Sequence, residues 1–180
     1  GRVQSMAPAP CGPLIAELSD VLKRSITEIR TVAFLLHPPL LDERGLASAL
    51  RLFSEGFSQR SGIELTLDFP ADLGPLPPEV ELAGFRIVQE CLTNVHRHSN
   101  SPTARVHLER QDHQMLFEVS DSGRGFQVTE GEHPGKQEDH GIGIRGMRDR
   151  IRQLGGSLEI DSGSDGTRIR ALLPLRETAS

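Results

Sequence analysis

A polar edge along one predicted helix carries residues suited to metal and proton chemistry. In the segment ECLTNVHRHS, Glu90, Asn94 and His98 recur at four-residue spacing, so a helix would point all three the same way. Mg²⁺ bound to phosphates keeps several waters and takes only one or two protein oxygens, so the Asn94 amide oxygen would be enough to hold it. Glu90, one turn away, is then placed to act as a base. An ordinary solvated helix face is the alternative for this segment alone.

A second polar cluster, DSGRGF, follows an apolar predicted strand. Asp121 ends that strand, and Gly123 and Gly125 come directly after it. A carboxylate at this point can accept a hydrogen bond from an exocyclic amine such as adenine N6, and glycines let the backbone approach a ligand closely. A plain Asp-Gly turn is the alternative interpretation.

A third cluster, GIGIRGMRDR, opens a predicted helix directly after a long polar loop. Its glycine amides and the helix N-terminus would face an anion, for which phosphate is the natural candidate. Gly141, Gly143 and Gly146 also match the dinucleotide pattern GxGxxG, with Asp161 about twenty residues further on. No strand leads into the first glycine and the remaining chain is too short for a doubly wound sheet, so we reject that interpretation.

A zinc site built from Cys91, His96 and His98 is also rejected. These residues fall on different helix faces and match no zinc-ligand spacing. The three clusters together therefore favour nucleotide binding over a structural metal.

The hydrophobic pattern predicts the elements that position these clusters. Residues 14–36 have apolar positions at three- and four-residue spacing, as in a bundle helix, and a second helix follows with Asp42 as its N-cap and ends before Gly62. The order then continues with a strand at 63–69, a helix from Glu79, strands at 104–109 and 115–120, a loop at 122–142, a helix from near Ile144, and strands at 157–160 and 167–173. This order predicts an α+β fold with helices on one face of a mixed sheet.

Composition limits the class of protein further. The 180 residues, 36% of them hydrophobic, suit one compact domain with an extension. A net charge of −5 without a basic run argues against direct contact with nucleic acid. Two cysteines in unrelated contexts, no run of ~20 apolar residues and no signal-peptide pattern predict a cytoplasmic chain without membrane contact, so that any membrane anchor would lie outside it.

Taken in chain order, the three polar clusters resemble those of the ATP-binding domain shared by histidine kinases, type II topoisomerases, ninety-kilodalton heat-shock chaperones and mismatch-repair ATPases. Within that superfamily, QECLTNVHRHS, DSGRGF, GIGIRGMRDRIRQLGGSLEIDS and DGTRIRALLPL are similar to sensor histidine kinases that pair with helix-turn-helix response regulators. The resemblance covers residues 14–175. It implies a two-layer sandwich of the Bergerat type that binds ATP with Mg²⁺ and transfers the γ-phosphoryl group to a histidine, for relay to a response regulator receiver domain.

The resemblance also implies roles for individual residues. Asn94 would hold Mg²⁺, Glu90 would act as the base or polarising group, Asp121 would bind adenine and Thr167 would support that contact. The other expected ATP-binding residues are Arg97, His98, Gly123, Gly125, Phe126, Gly141, Ile142, Gly143, Ile144 and Gly146.

The domain layout follows from composition and from the same resemblance. Residues 1–13, which are rich in Pro, Ala and Gly without a period, would be a linker or expression remnant. The resemblance implies that 14–38 is the second helix of a dimerisation and phosphotransfer bundle, and 39–180 the ATP-binding domain with a lid at 127–142. The full-length protein would be a homodimer. The family's acceptor histidine precedes an acidic residue, whereas none of the seven histidines here does, so we expect ATP binding without self-phosphorylation.

Three other functions compete with this prediction. The first is a catalytically silent nucleotide-binding module, the second a serine kinase of the anti-sigma-factor type, and the third a gyrase-like ATPase. Intact Glu90 and Asn94 argue against the first, the bundle-like helix before residue 38 against the second, and the GMRDR segment against the third.

Overall fold

The computed structural model describes residues 39–126 and 140–175. The predicted linker at 1–13, the bundle helix at 14–36 and residues 127–139 of the predicted lid lie outside the described residues. In chain order the elements are α1 (Pro39–Ser61), β1 (Glu64–Asp68), α2 (Pro78–Asn94), a π-helical turn (Val95–Ser99), β2 (Thr103–Gln111), β3 (Gln114–Asp121), α3 (His140–Gln153), β4 (Ser157–Gly163) and β5 (Gly166–Pro174).

The five strands form one mixed sheet, as the sequence predicts. Their order is β1-β2-β3-β5-β4, with β1 parallel to β2 and every other pair antiparallel. The three helices pack on one face of this sheet, and their apolar side chains form a single core with the inward side chains of β2, β3 and β5. The predicted two-layer α+β architecture is confirmed.

Alternation along the strands separates the core from the open face of the sheet. In β3, for example, Met115, Phe117 and Val119 are buried against the helices, while the side chains between them point to the other face. On that open face Arg105 pairs with Asp68, and the Arg170 Nε lies 2.6 Å from a carboxylate oxygen of Glu118. The open face is therefore charged, and the apolar side chains of the strands lie between the sheet and the helices.

The start of α1 differs from the prediction, because Asp42 lies inside the helix and is not its N-cap. The helical geometry breaks at Gly45, which has φ 71° and ψ 173°, a conformation that glycine adopts without steric cost. The Leu46 amide that this break frees donates to the Glu81 carboxylate over 3.2 Å. The cap thus comes from α2, 35 residues away in sequence, and no local pattern indicates it.

Helix α2 carries the predicted apolar stripe and positions the polar edge beside it. Pro78 lies at its start, and acidic residues in the first turn complement the helix dipole. Gly84 lets the helix approach the sheet, since a Cβ at this position would come within 3.0 Å of the Phe117 ring. The helix continues into the π-helical turn and ends at Asn100, which has φ 55°. None of the helices in the described parts of the chain is long and apolar enough to cross a bilayer.

Helix α3 begins earlier than predicted, at His140 instead of near Ile144. Glycine has a low helix propensity, so Gly141 and Gly143 hid the first turn from the sequence pattern. The buried side chains of Met147 and Ile151 attach α3 to the common core.

Candidate functional site

A cleft opens between the carboxyl end of α2 and the central strands β3 and β5. Its walls are largely apolar, and its polar groups come from the end of α2 and the π-helical turn, from the end of β3 and the segment after it, and from β5. The lining residues are Cys91, Asn94, Val95, His98, Ser99, Val119, Asp121, Arg124, Gly125, Phe126, Ile144, Thr167 and Ile169. An apolar pocket with a few convergent polar groups is the usual form of a small-molecule site.

Asp121 places a carboxylate in this cleft. It ends β3, is partly buried, and accepts a hydrogen bond from the Gly123 amide at 2.9 Å through Oδ1. Burial raises the pKa of the Asp121 carboxyl above its ordinary value, and hydrogen bonds from the Gly123 backbone, the Ser99 side chain and the Thr167 backbone oppose that shift. An ionised carboxylate has about four acceptor positions, so the group retains capacity to accept an N–H from a ligand.

The two glycines after Asp121 allow the segment to pack against neighbouring backbone. A Cβ on Gly123 would come within 2.8 Å of the Ser99 carbonyl carbon, and one on Gly125 within 2.6 Å of the Gly163 amide nitrogen. Between them, Arg124 donates from its amide to the Ser99 carbonyl at 2.7 Å and from Nε to the His98 carbonyl at 2.9 Å. The segment is thereby fixed to the π-helical turn.

Thr167 lies opposite Asp121 in the β3–β5 register and is buried. Its hydroxyl lies 2.8 Å from the Ser162 hydroxyl, which also accepts the Phe126 amide at 2.9 Å. The structure therefore brings Asp121, Thr167 and the Phe126 backbone together at one end of the cleft.

The structure places only some residues of the predicted polar edge in the cleft. Asn94 and His98 line the cleft, whereas Arg97 is exposed and is not among the lining residues. Glu90 lies one turn before Asn94, where its carboxylate packs against Gly143 of α3. The predicted base thus lies at the junction of α2 and α3, next to the cleft.

Helix α3 contributes Ile144 to the cleft wall and begins where the sequence predicts an anion site. Gly141 and Ile142 belong to its first turn. Gly146 is exposed, and a Cβ there would meet nothing within 4 Å. Gly143 and Gly146 therefore have very different surroundings although they belong to one motif.

Cys91 forms part of the inner wall of the cleft. Its Sγ lies 3.9 Å from the Met147 Sδ, and burial raises the pKa of its thiol above the ordinary value, so that it stays protonated. It therefore behaves as a small apolar wall residue. Within residues 39–126 and 140–175, no group of three or more His, Cys, Asp or Glu side chains could hold a metal ion.

Comparison with known proteins assigns this chain to a family. The sequence model of the family described as "Histidine kinase-, DNA gyrase B-, and HSP90-like ATPase" matches residues 79–177, which run from α2 to the end of the sheet. The chain belongs to this family. It is an ATP-binding domain, as the family resemblance of the sequence implies.

Curated relatives of the chain within this family are histidine kinases. The chain is 34% identical over 155 residues to the sensor histidine kinase MctS of Rhizobium johnstonii, covering 86% of this chain and 33% of MctS. It is 30% identical over 162 residues to the signal transduction histidine-protein kinase/phosphatase DegS of Brevibacillus brevis, covering 89% of this chain and 40% of DegS. The chain thus spans between a third and two fifths of these relatives' lengths.

Solved structures support the same fold. The histidine kinase domain of the Erythrobacter litoralis blue-light activated kinase EL346 superposes with a TM-score of 0.64 at 20% identity, over 97% of this chain and 89% of that one. The catalytic domain of the histidine kinase ThkA gives a TM-score of 0.55 at 16% identity, over 75% and 93% of the two chains.

Several residues that line or support this cleft were not singled out from the sequence. Arg124 lies inside the recognised DSGRGF segment, and its role depends on the carbonyls of a turn some 26 residues earlier. The Ser162 hydroxyl contacts the Thr167 hydroxyl across the β4–β5 pair, and this contact follows only from the register of the two strands. Ile169 could have been found, because strand alternation places it on the same face as Thr167.

Proposed function

We propose that this domain binds ATP and transfers its γ-phosphoryl group to a histidine outside the chain, from which an aspartate of a response regulator receives it. The observation that carries the proposal is the partly buried Asp121 carboxylate in an apolar cleft, facing Thr167 across the sheet. An adenine ring suits this combination, because it is flat and apolar on its faces and carries an N–H donor at its edge.

In this proposal Asp121 accepts the adenine N6 hydrogen bond, and Thr167 orients the carboxylate from the next strand. Val119 and Ile169 would pack against the ring faces, and the Phe126 and Ile144 side chains would enclose the nucleotide from the open side. The ionised carboxylate is the stronger hydrogen-bond acceptor, and the apolar walls of the cleft disfavour ionisation, so burial opposes this role of Asp121 in the free domain.

The triphosphate would extend from the adenine end towards Asn94 and His98. Both side chains line the cleft, and an amide oxygen beside an imidazole suits a hard cation that brings most of its ligands on phosphates and water. Mg²⁺ bound there through Asn94 would neutralise phosphate charge during transfer. Arg97 would add positive charge from the exposed side, and the glycine-rich start of α3, with Gly141, would supply backbone amides.

Glu90 would act on the acceptor side of the reaction. Its carboxylate lies one helical turn from Asn94, so it can accept the proton of an approaching imidazole or orient its nucleophilic nitrogen. Phosphoryl transfer depends mainly on positioning and charge neutralisation, and one acid and one metal-binding amide are sufficient for that task.

The larger assembly is part of the proposal. Residues 14–38 would be the second helix of a dimerisation and phosphotransfer bundle, residues 39–180 the catalytic domain with a lid at 127–142, and the full-length kinase a cytoplasmically exposed homodimer. Its partner would be a response regulator receiver domain, since one relative is named a sensor histidine kinase and the other a signal transduction histidine-protein kinase/phosphatase.

The test is calorimetric titration of the chain with ADP and with a non-hydrolysable ATP analogue, each with and without Mg²⁺. We expect micromolar binding of both nucleotides and a clear Mg²⁺ requirement for full affinity of the triphosphate. If neither nucleotide binds, the proposal is overturned.

A further inference from the structure

Glu90 and Gly143 touch at the junction of α2 and α3, although 53 residues separate them in sequence. A Cβ built on Gly143 would lie 2.9 Å from Cδ of Glu90 and 3.5 Å from its Cγ, and its closest approach would be to the carboxylate oxygen Oε1. Real Cβ atoms essentially never approach another heavy atom closer than 3.0 Å, so the Glu90 carboxylate would have to move. The Glu90 carboxylate therefore occupies the space that a side chain at position 143 would fill.

The two helices cannot easily separate to accommodate a larger residue. Cys91, directly after Glu90 on α2, contacts Met147, one turn after Gly143 on α3, and Met147 and Ile151 are 1% and 0% exposed. Moving α3 away would open the close-packed core on which both helices rest. A side chain at position 143 would therefore displace the Glu90 carboxylate, which is only partly buried and can rotate.

We infer that Gly143 is a positioning residue for Glu90: its missing Cβ admits the carboxylate to the α2–α3 junction and sets the direction in which it points. The inference rests on the proposed role of Glu90 in phosphoryl transfer. It assigns to Gly143 an effect on the reaction through Glu90, in place of contact with phosphate.

The neighbouring glycine of the same motif shows that the contact is specific. Gly146 lies almost one turn further along α3, where a Cβ would meet nothing within 4 Å. Glycine is the poorest helix former apart from proline, so each glycine here weakens the helix. At position 146 alanine would simply strengthen it, whereas at position 143 the same change collides with Glu90.

Thermal unfolding of the chain tests the contact itself. We expect Gly146→Ala to raise the melting temperature, and Gly143→Ala to raise it clearly less, because the Glu90 carboxylate must first leave the space that the new Cβ takes. Adding Glu90→Asp, which withdraws the carboxylate by one methylene, should recover most of that difference. If Gly143→Ala stabilises the chain as Gly146→Ala does, or if the double variant shows no recovery, the contact is overturned.

Autophosphorylation of the whole kinase that carries this domain tests the positioning role. We expect Gly143→Ala to lower the rate about 100-fold, as misplacement of a reacting group by 1 Å can do, with little change in the KM for ATP. In the Glu90→Asp background the same change should alter the remaining rate within about twofold, since its target has already been shortened.

A different pattern would overturn the inference. Equal losses in both backgrounds, or a loss expressed mainly in KM, would mean that Gly143 acts on the nucleotide and not through Glu90. If the unsubstituted protein binds no ATP at all, the proposed function fails, whereas the melting temperatures still decide whether Gly143 holds Glu90.

Discussion

Burial and adenine binding shift the pKa of Asp121 in opposite directions. Burial raises the pKa in the free domain, whereas a bound adenine amine would favour the ionised carboxylate. Asp121→Asn should therefore weaken ATP binding by about 1.5–3 kcal/mol, the contribution of a charge-assisted hydrogen bond, or roughly 10- to 150-fold in Kd. Calorimetric titration measures this loss, and an unchanged Kd would exclude the adenine role.

The raised pKa of Asp121 also has a consequence for the stability of the free domain. Below pH 3.8 the carboxyl is protonated in both states, and above it the unfolded chain loses its proton first. The free energy of unfolding therefore falls as pH rises from 3.8 through the folded pKa. Asparagine does not titrate, so the melting temperature of Asp121→Asn minus that of the parent should increase across this window and then stay level. A difference independent of pH would contradict the direction of the shift.

A variant at Asn94 distinguishes nucleotide binding that depends on Mg²⁺ from binding that does not. Its amide oxygen is the proposed protein ligand of Mg²⁺, so Asn94→Ala should abolish the gain in triphosphate affinity that Mg²⁺ provides. Binding of ADP without metal should be almost unaffected. Titrations of both nucleotides, with and without Mg²⁺, give the comparison, and equal losses for both would count against a metal role.

At the scale of elements, the break in α1 depends on a bond from another helix. The Leu46 amide has its acceptor in Glu81, in the first turn of α2. Loss of an N-cap costs about 0.5–2 kcal/mol, so Glu81→Ala should lower the free energy of unfolding by that amount. Glu81→Gln keeps an acceptor oxygen and should recover most of it. Urea unfolding measures both variants, with Glu79→Ala, an exposed acid of the same turn, as the matched control.

The helices and strands differ in how much of their structure the sequence could predict. Strand alternation and the stripe of α2 depend on burial alone, so the five strands, their faces and the predicted core of α2 are confirmed. The cap of α1 was predicted wrongly at Asp42, because the true acceptor becomes adjacent only after α2 packs. The contact between Glu90 and Gly143 and the hydroxyl pair of Ser162 and Thr167 likewise depend on tertiary register, which single-sequence periodicity does not contain.

At the scale of the whole molecule, the cleft joins α2, β3, β5 and α3 within one core. A nucleotide bound there stabilises only the folded state, by about 2.7 kcal/mol at one hundred times its Kd. For a domain of this size that corresponds to a rise in melting temperature of roughly 5–11 °C. Differential scanning fluorimetry with the Mg²⁺-bound ATP analogue measures the rise, and Asp121→Asn at the same concentration should reduce it. No rise in the parent would contradict binding in the cleft.

Strand β3 runs from the β2–β3 turn at Asp112 and His113 to Asp121 in the cleft. Its eight residues separate the two ends by roughly 25 Å, and both turn residues are exposed. A tether attached at Asp112 would consequently immobilise every molecule in one orientation, with the cleft directed away from the support. Surface-based kinetic assays of nucleotides, or of bulky partners that must approach the cleft, could then be made without the attachment point competing for the site.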